Sequence, residues 1–303
     1  MRSETALGDA LSAASDALAA AGCDTPRLDA ELLLAAASGL ERTRLAIDPG
    51  LTVDPAAGRQ FAAMVRRRLR REPVAYILGS KGFRHIELAC DRRALIPRPE
   101  TELLVEIALE LSPGSVLDVG TGSGAVALAV ADEQPDAELW ATDTSEPALA
   151  LAGENAARLG LADRIRFSAG MLPPAPGAPG RPPATGADSP PATEKRVEGH
   201  PPAAGFELVV ANLPYVRDDE WDGLAPEIRN YEPRSALLGG PDGLVPIRSL
   251  LEAVPGVAPS AIALEIGAGQ ADDVAKLVEA AGFGRVEARN DLAGIERVVV
   301  GRR

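Results

Sequence analysis

Val116-Leu-Asp-Val-Gly120-Thr-Gly122-Ser-Gly124 is an apolar run that enters a glycine-rich turn, and a helical pattern begins near Ala125. Glycine reaches positive φ without a steric cost and lets a ligand approach the backbone closely. The first turn of the following helix offers unpaired N–H groups to a polar ligand. Gly120-x-Gly122-x-x-Ala125 also satisfies the relaxed dinucleotide fingerprint, a pattern that plain structural turns share. The next apolar run, Leu139-Trp-Ala-Thr-Asp143, ends in a carboxylate placed to accept hydrogen bonds from both ribose hydroxyls of an adenosine ligand. Together the two features indicate an adenosine-containing cofactor, with NAD and S-adenosylmethionine both open. Asp118, just before the turn, is expected to brace the glycine loop or the amino acid end of such a cofactor.

Outward from this turn the chain alternates strand and helix. Strand candidates are Val116–Val119, Leu139–Ala141, Ile165–Phe167, Leu208–Ala211, Ile262–Ile266, Val286–Ala288 and Val298–Val300. Helical stretches at Val126–Asp132, Pro147–Leu159 and Val245–Val254 lie among them. This is the βαβ signature of an open, mostly parallel sheet covered by helices, and seven strands suit a sheet whose final strand is reversed. Spacing alone leaves the strand order open. Residues 173–205 interrupt the pattern with ten of the 26 prolines and no aliphatic residue larger than alanine except Val197. Such a stretch cannot bury enough surface to offset its ordering entropy, so a disordered insertion is expected there.

Residues 5–71 read as helices. Leu7, Leu11, Ala14, Leu18 and Ala21 recur at helical spacing, and Leu28, Leu32, Leu33 and Leu34 follow Pro26, a good first-turn residue. A third helix from Pro55 to Arg71 carries Phe61, Met64, Val65 and Leu69 on one face and Arg66, Arg67, Arg68, Arg70 and Arg71 on the other. The arginines are expected to form a solvated face. Val74, Tyr76, Ile77 and Leu78, then Gly79, Gly82 and Ile86–Leu95, suggest a short hairpin joining two domains. The expected organisation is a helical domain over 1–72, a hairpin linker over 73–98 and an α/β domain over 99–303.

Composition narrows the function classes. The apolar fraction of 46% supports an ordinary globular core, whereas a net charge of −13 argues against a protein that tracks nucleic-acid phosphates. No direct nucleic-acid partner is therefore expected. Cys23 and Cys90 form neither a metal nor a redox spacing, which favours a reducing, cytoplasmic setting, and no metal site is expected. No apolar run is long enough for a membrane span, and residues 1–22 lack the basic lead and apolar block of a signal peptide. With His85 and His200 the only histidines, a Ser-His hydrolase is nearly excluded by counting.

The deciding motif is Asn212-Leu213-Pro214-Tyr215, which follows the apolar run Leu208–Ala211. In an open parallel sheet, ligands sit at the carboxyl ends of the strands, so this motif is expected to share a crevice with Gly120–Gly124 and Asp143. Asn212 offers a carbonyl acceptor and an NH₂ donor. Pro214 drives Leu213 toward extended geometry and so holds the Leu213 carbonyl at a defined angle. Two acceptors then converge on one NH₂ group, while Tyr215 supplies a flat face for a planar amide or base. The chemistry this suits is methylation of a poorly basic, planar nitrogen. Such a nitrogen needs positioning against a sulfonium methyl more than a strong general base, consistent with the scarcity of histidine. A dehydrogenase would use the glycine turn and Asp143 but leave Asn212–Tyr215 idle.

These motifs resemble those of the protein-(glutamine-N5) methyltransferases of peptide chain release factors, the HemK/PrmC family. Arg71-Glu-Pro-Val-Ala-Tyr-Ile-Leu-Gly79 and Leu95-Ile-Pro-Arg-Pro-Glu-Thr101 resemble the family's linker and its entry to the catalytic domain. Tyr231–Leu238, Gly239-Gly-Pro-Asp-Gly-Leu244, Leu264-Glu-Ile-Gly267 and Asp291–Gly294 resemble its later blocks. The resemblance implies a seven-stranded Rossmann-like (class I) S-adenosylmethionine-dependent methyltransferase domain preceded by a small helical domain that helps grip the release factor. It implies an enzyme that methylates the glutamine of the Gly-Gly-Gln tripeptide; a monomer is expected. Gly120, Thr121, Gly122, Ser123, Gly124, Asp143, Met171 and Asn212 would hold the cofactor. Asn212, Pro214 and Tyr215 would be catalytic and, with Leu213, would clamp the substrate. Two departures stand out: residue 213 is leucine where the family reads proline, and Ser168-Ala-Gly170-Met171 replaces an acidic residue near the cofactor's adenine. Asn-Leu-Pro-Tyr also resembles ribosomal RNA adenine dimethyltransferases, so an adenine N6-methyltransferase acting on RNA or DNA is the alternative substrate reading. A non-catalytic relative that binds a translation factor is a third.

Overall fold

The computed structural model describes residues 6–48, 50–52, 54–173, 202 and 205–303. The proline-rich stretch expected to be a disordered insertion, His200 included, lies outside the described residues except for 173, 202 and 205. The chain divides into two compact units.

The larger unit comprises Gly82–Ala89, Arg93–Gly223 and Pro233–Arg303. It is built on a seven-stranded sheet made of β3 (Ser115–Val119), β4 (Glu138–Asp143), β5 (Ile165–Ala169), β6 (Leu208–Ala211), β7 (Ala261–Glu265), β8 (Arg285–Asn290) and β9 (Glu296–Arg302). The order is β5-β4-β3-β6-β7-β9-β8, which spacing could not supply. Strands β3 to β7 pair in parallel, and β9 runs antiparallel to both β7 and β8, as expected for a reversed final strand. Central strands covered on both faces must be apolar throughout, and every residue of β3, β6 and β7 is buried.

Side chains alternate between the two faces of this sheet. Val210, Ala263 and Val300 point into a core with Leu104, Ile107 and Leu128. Val209, Ile262, Leu264 and Val299 point into a second core with Ile247, Leu250, Val274 and Val278. The helices supplying these residues are α6 (Glu102–Leu111), α7 (Ala125–Glu133), α10 (Val245–Ala253) and α11 (Ala271–Ala280). Helix α8 (Glu146–Arg158) starts on a Ser145 cap whose hydroxyl oxygen accepts from the Ala148 N–H at 3.3 Å, with Pro147 in its first turn. Chain order reverses between β3 and β6, and their carboxyl ends open the crevice in which such sheets place ligands.

The smaller unit comprises residues 1–81, 90–92 and 224–232. It holds α1 (Leu7–Ala20), α2 (Pro26–Ser38), α3 (Arg42–Ile47), α4 (Pro55–Leu69), α5 (Val74–Leu78) and α9 (Pro226–Tyr231). Leu11, Leu18, Leu33, Leu34, Phe61 and Val65 form its core. Asp54 caps α4 by accepting from the Ala56 and Ala57 N–H groups at 2.9 and 3.2 Å, with Pro55 in the first turn.

Three expectations need correction. Val74–Leu78 is helical, so the hairpin consists of β1 (Ser80–Phe83) and β2 (Ile86–Ala89) alone. Gly79, in the left-handed region at φ 75°, ends α5 and lets the chain turn into β1. On α4, the buried stripe is Phe61, Val65 and Arg68, whereas Leu69 is exposed. Steps of four and three carry that stripe to position 68, and 69 falls off it. Arg68 is 5% exposed and is met by Asp29 at 2.7 Å and Glu227 at 2.7 Å. Arg71 forks onto both Glu227 oxygens at 2.6 and 2.7 Å, and Arg67 onto both Glu72 oxygens at 2.8 and 2.7 Å. Only part of the arginine run is therefore a solvated face.

The third correction is that Leu224–Glu232, inside the expected α/β segment, belongs to the helical unit. Glu227 answers the two arginines there. The Tyr231 hydroxyl donates to the Arg70 carbonyl at 2.8 Å while its ring lies 4.7 Å from the Arg92 guanidinium.

Candidate active site

At the carboxyl end of β3 the chain turns through Gly120, Gly122 and Gly124, all at positive φ (74°, 59° and 86°). Backbone bonds close the turn, with the Gly120 and Thr121 N–H groups donating to the Thr142 carbonyl at 2.8 and 2.9 Å. Asp118 braces it: its Oδ2 accepts from the Thr121 hydroxyl at 2.6 Å and from the Ala127 N–H at 3.2 Å. Burial pushes the Asp118 carboxyl up to about 6, against the opposing hydrogen bond from Thr121. Asn155, fully buried, fastens the loop from below by donating to the Ser123 carbonyl at 3.0 Å and exchanging bonds with Ala89 of β2.

Asp143 ends β4. Its Oδ2 accepts from the Gly122 N–H at 2.9 Å and its Oδ1 from the Ser145 N–H at 2.8 Å. One carboxylate thus holds the glycine turn and the start of α8, and each oxygen keeps a lone pair for a ligand hydroxyl. The Met171 carbonyl accepts from the Thr142 hydroxyl at 2.8 Å. Gly170 and Met171 line a cavity of about 300 Å³ together with the glycine turn, Asp143, the Leu95–Arg98 segment and Asn212–Pro214.

At the end of β6, Asn212 donates through Nδ2 to the Thr101 hydroxyl oxygen at 3.0 Å. Leu213 is buried beside the glycine turn, where a Cβ on Gly120 would stand 3.0 Å from its Cδ2. The backbone of Pro214 and Tyr215 is clamped from outside. A Cβ at Gly239 would lie 2.6 Å from the Pro214 carbonyl oxygen, and one at Gly243 would meet the Tyr215 carbonyl. Gln270 donates to that Tyr215 carbonyl at 3.1 Å and accepts from the Gly267 N–H at 2.8 Å. The Gly239–Leu244 block therefore serves as close packing under the motif.

Gly120, Thr121, Gly122, Ser123, Asp143, Met171, Asn212, Leu213 and Pro214 all line one cavity, as their placement at strand ends suggests. Two of the candidate residues do not line it. Gly124 is a packing glycine, where a Cβ would press on Leu128 at 2.8 Å and Ala152 at 3.2 Å. Tyr215 sits behind the motif, its hydroxyl directed to Glu265 Oε1 at 3.5 Å. Burial, with Glu265 adding to it, holds that phenol well above the usual tyrosine range. Thr101, Glu265 and Gln270 are contributors that residue-by-residue reading passed over. Thr101 and Glu265 lie inside quoted blocks, but nothing local assigned them a task.

Among the described residues no group of His, Cys, Asp and Glu could hold a metal, and no helix is long and apolar enough to cross a membrane. The glycine turn, the Asp143 carboxylate at the cavity wall and a cavity of this size fit a methyl-donor cofactor.

Comparison with known proteins identifies the family. Residues 9–79 match the PrmC N-terminal domain and residues 99–172 the Methyltransferase small domain. The chain is 39% identical over 298 residues to a release factor glutamine methyltransferase of Caulobacter vibrioides, covering 96% of this chain and 94% of the relative. It is 40% identical over 296 residues to one of Cereibacter sphaeroides, covering 97% of both. Among solved structures, the hMettl16 catalytic domain in complex with the MAT2A 3'UTR hairpin 6 aligns with a TM-score of 0.52 at 9% identity, over 71% of this chain and 74% of that one, a likeness of fold only. The class I methyltransferase sheet, the helical N-terminal domain and identity across nearly the whole length together place this chain in the release factor glutamine methyltransferase family, as an enzyme that uses a methyl-donor cofactor.

Proposed function

We propose that this chain transfers a methyl group to the side-chain amide nitrogen of the glutamine in the Gly-Gly-Gln tripeptide of peptide chain release factors, with S-adenosylmethionine as donor. The observation that carries the reading is the tether on Asn212. Because its NH₂ end is turned to Thr101, its Oδ1 is the end that can accept a substrate N–H. The Leu213 carbonyl, restrained by Pro214, supplies the second acceptor. Held at both N–H bonds, an amide nitrogen is biased toward the pyramidal form whose lone pair can attack.

Bound S-adenosylmethionine supplies an electrophilic methyl on a sulfonium. The chain's own part is to orient and to exclude water. Asp143 would accept from the ribose hydroxyls, Gly120–Ser123 would let the donor approach the backbone, and Met171 would flank the adenine. Leu213 would seal the junction between the glycine turn and the substrate motif. No side chain need act as a strong base, because the proton is shed after the nitrogen becomes cationic. The names of the relatives favour a glutamine amide over an adenine ring.

Mass spectrometry of a purified release factor after incubation with the enzyme and S-adenosylmethionine tests this. One added methyl group on the tripeptide glutamine is expected. Methylated RNA adenine beside an unmodified release factor would overturn the reading.

A further inference from the structure

Helix α11 starts from Gln270, and the side chain at that position does not cap it. Short polar residues are favoured at such a start because they reach the first-turn N–H groups, so helix capping does not account for a glutamine here. Its amide is used elsewhere. Oε1 accepts from the Gly267 N–H at 2.8 Å, and Nε2 donates to the Tyr215 carbonyl at 3.1 Å. The partners fix which end is which, since a backbone N–H can only donate and a carbonyl can only accept. One side chain thus ties the exit of β7 and the start of α11 to the end of the Asn212–Tyr215 motif.

The slot that takes this amide is made of glycine. A Cβ at Gly267 would stand 3.0 Å from Oε1, and one at Gly243 would stand 2.7 Å from Nε2. Beyond the motif, the Val216 N–H donates to the Leu237 carbonyl at 2.9 Å and the Gly239 N–H to the Val216 carbonyl at 2.8 Å. Before it, Ala211 is paired with Leu264 in the sheet. The Leu213 carbonyl is therefore suspended between a strand and this anchor. Pro214 makes the intervening segment stiff, but a stiff segment is aimed only when its far end is held.

We propose that Gln270 is a positioning residue: by holding the Tyr215 carbonyl it aims the Leu213 carbonyl at the substrate nitrogen. This deepens the glutamine reading above and rests on it. The bond pattern makes the role separable from mere space filling. A carboxyl of the same shape at this position still accepts from Gly267. Ionised, it sets an oxygen against the Tyr215 carbonyl oxygen, and the two acceptors repel. Protonated, it donates to that carbonyl as the amide does. Gln270→Glu therefore turns a fixed anchor into one that pH switches. Titratable groups on the elements that meet here are Tyr215 and Glu265 at the strand exits, Asp242 and Arg248 around the glycine block, and Asp272 and Asp273 on α11. All of them are common to the wild type and the variant, so a titration seen in the variant alone belongs to the new carboxyl.

The test combines kinetics with a readout that needs no substrate. In alkaline solution Gln270→Glu is expected to lower kcat for release-factor methylation about 10- to 100-fold, the effect of a misplacement of about 1 Å near the reacting atoms. As the pH falls it should regain most of that loss, relative to the wild type at the same pH. Gln270→Met keeps the length, loses both bonds and should be slow at every pH. Affinity for S-adenosylmethionine should hold in both variants, because the glycine turn and Asp143 are fixed by their own bonds to Thr142, Gly122 and Ser145. In ¹⁵N-labelled protein the Val216 amide, which shares a peptide group with the Tyr215 carbonyl, should show a pH step in Gln270→Glu that the wild type and Gln270→Met lack. A Gln270→Met enzyme with wild-type kcat would overturn the proposal, as would a Gln270→Glu enzyme whose pH profile parallels that of Gln270→Met. Should the wild type leave release factor unmodified, it is the glutamine reading that fails, and the Val216 step still decides whether Gln270 holds the motif.

Discussion

Asn212→Ala is expected to reduce single-turnover methylation of release factor by roughly 10³-fold, the range seen when one preorganised hydrogen-bonding group is removed from the reacting centre. The substitution deletes the acceptor that would orient the amide nitrogen and leaves the glycine turn and Asp143 untouched. Cofactor affinity measured by calorimetry should therefore change far less than the rate. The loss belongs in kcat, because the release factor would be gripped by surfaces remote from the transferred methyl. Asn212→Asp makes a sharper comparison. It retains an acceptor of the same size, but Thr101 loses its donor and a negative charge is set near Glu265, so activity should stay low. An Asn212→Ala enzyme with near wild-type kcat would show that the motif is only a turn after a strand.

Arg68→Ala is the substitution with the largest expected effect on stability. Asp29 is 4% exposed and loses its guanidinium partner, while Glu227 is left with Arg71 alone. Removing one member of a buried ion pair costs about 3–5 kcal/mol, because a charge stays buried without compensation. Hydrogen exchange on the full chain reads this directly. Protection in α2 and α4 should fall by roughly 10²–10³-fold while the amides of β3, β6 and β7 keep theirs. Unchanged protection in α4 would contradict the assignment.

The same cluster should weaken in acid. Burial acts to raise the Glu227 carboxyl, but the hydrogen bonds from Arg71 and Arg68 outweigh it and hold the group below its ordinary value of 4.5. A depressed carboxyl contributes stability that is present above that ordinary value and is lost as pH falls through the folded one. Protection of α4 and α9 should therefore decline below about pH 4.5.

How much of this was legible in the chain follows from how local each signal is. The glycine turn, Asp143 and Asn212–Pro214 each sit at the end of an apolar run, and parallel-sheet physics puts such ends on one edge. Their shared cavity could be anticipated without coordinates. The order of the strands could not, since parallel neighbours are linked through helices whose crossover leaves no mark on spacing. Arg68 was misplaced by residue type: its charge suggested solvent, while its position, seven after Phe61, belonged to the buried stripe.

Leu224–Glu232 carries a proline and a short helical pattern, but nothing in it names Arg68 and Arg71 as partners. Tyr215 was read as a stacking face because aromatic rings often serve so, whereas its hydroxyl is taken up by Glu265. Thr101, Glu265 and Gln270 are separated from Asn212 by long stretches of chain. Only the assembled sheet shows what their hydrogen bonds do.

The central claim is that the Asn212 side-chain oxygen and the Leu213 carbonyl together hold the nitrogen that receives the methyl group. A crystal structure of the enzyme with the demethylated cofactor product and a glutamine-bearing release-factor fragment measures this directly. The amide nitrogen is predicted to lie about 2.9 Å from both oxygens, with Asn212 Nδ2 still on Thr101. A glutamine nitrogen bound elsewhere, or an Asn212 turned away from it, would contradict the account.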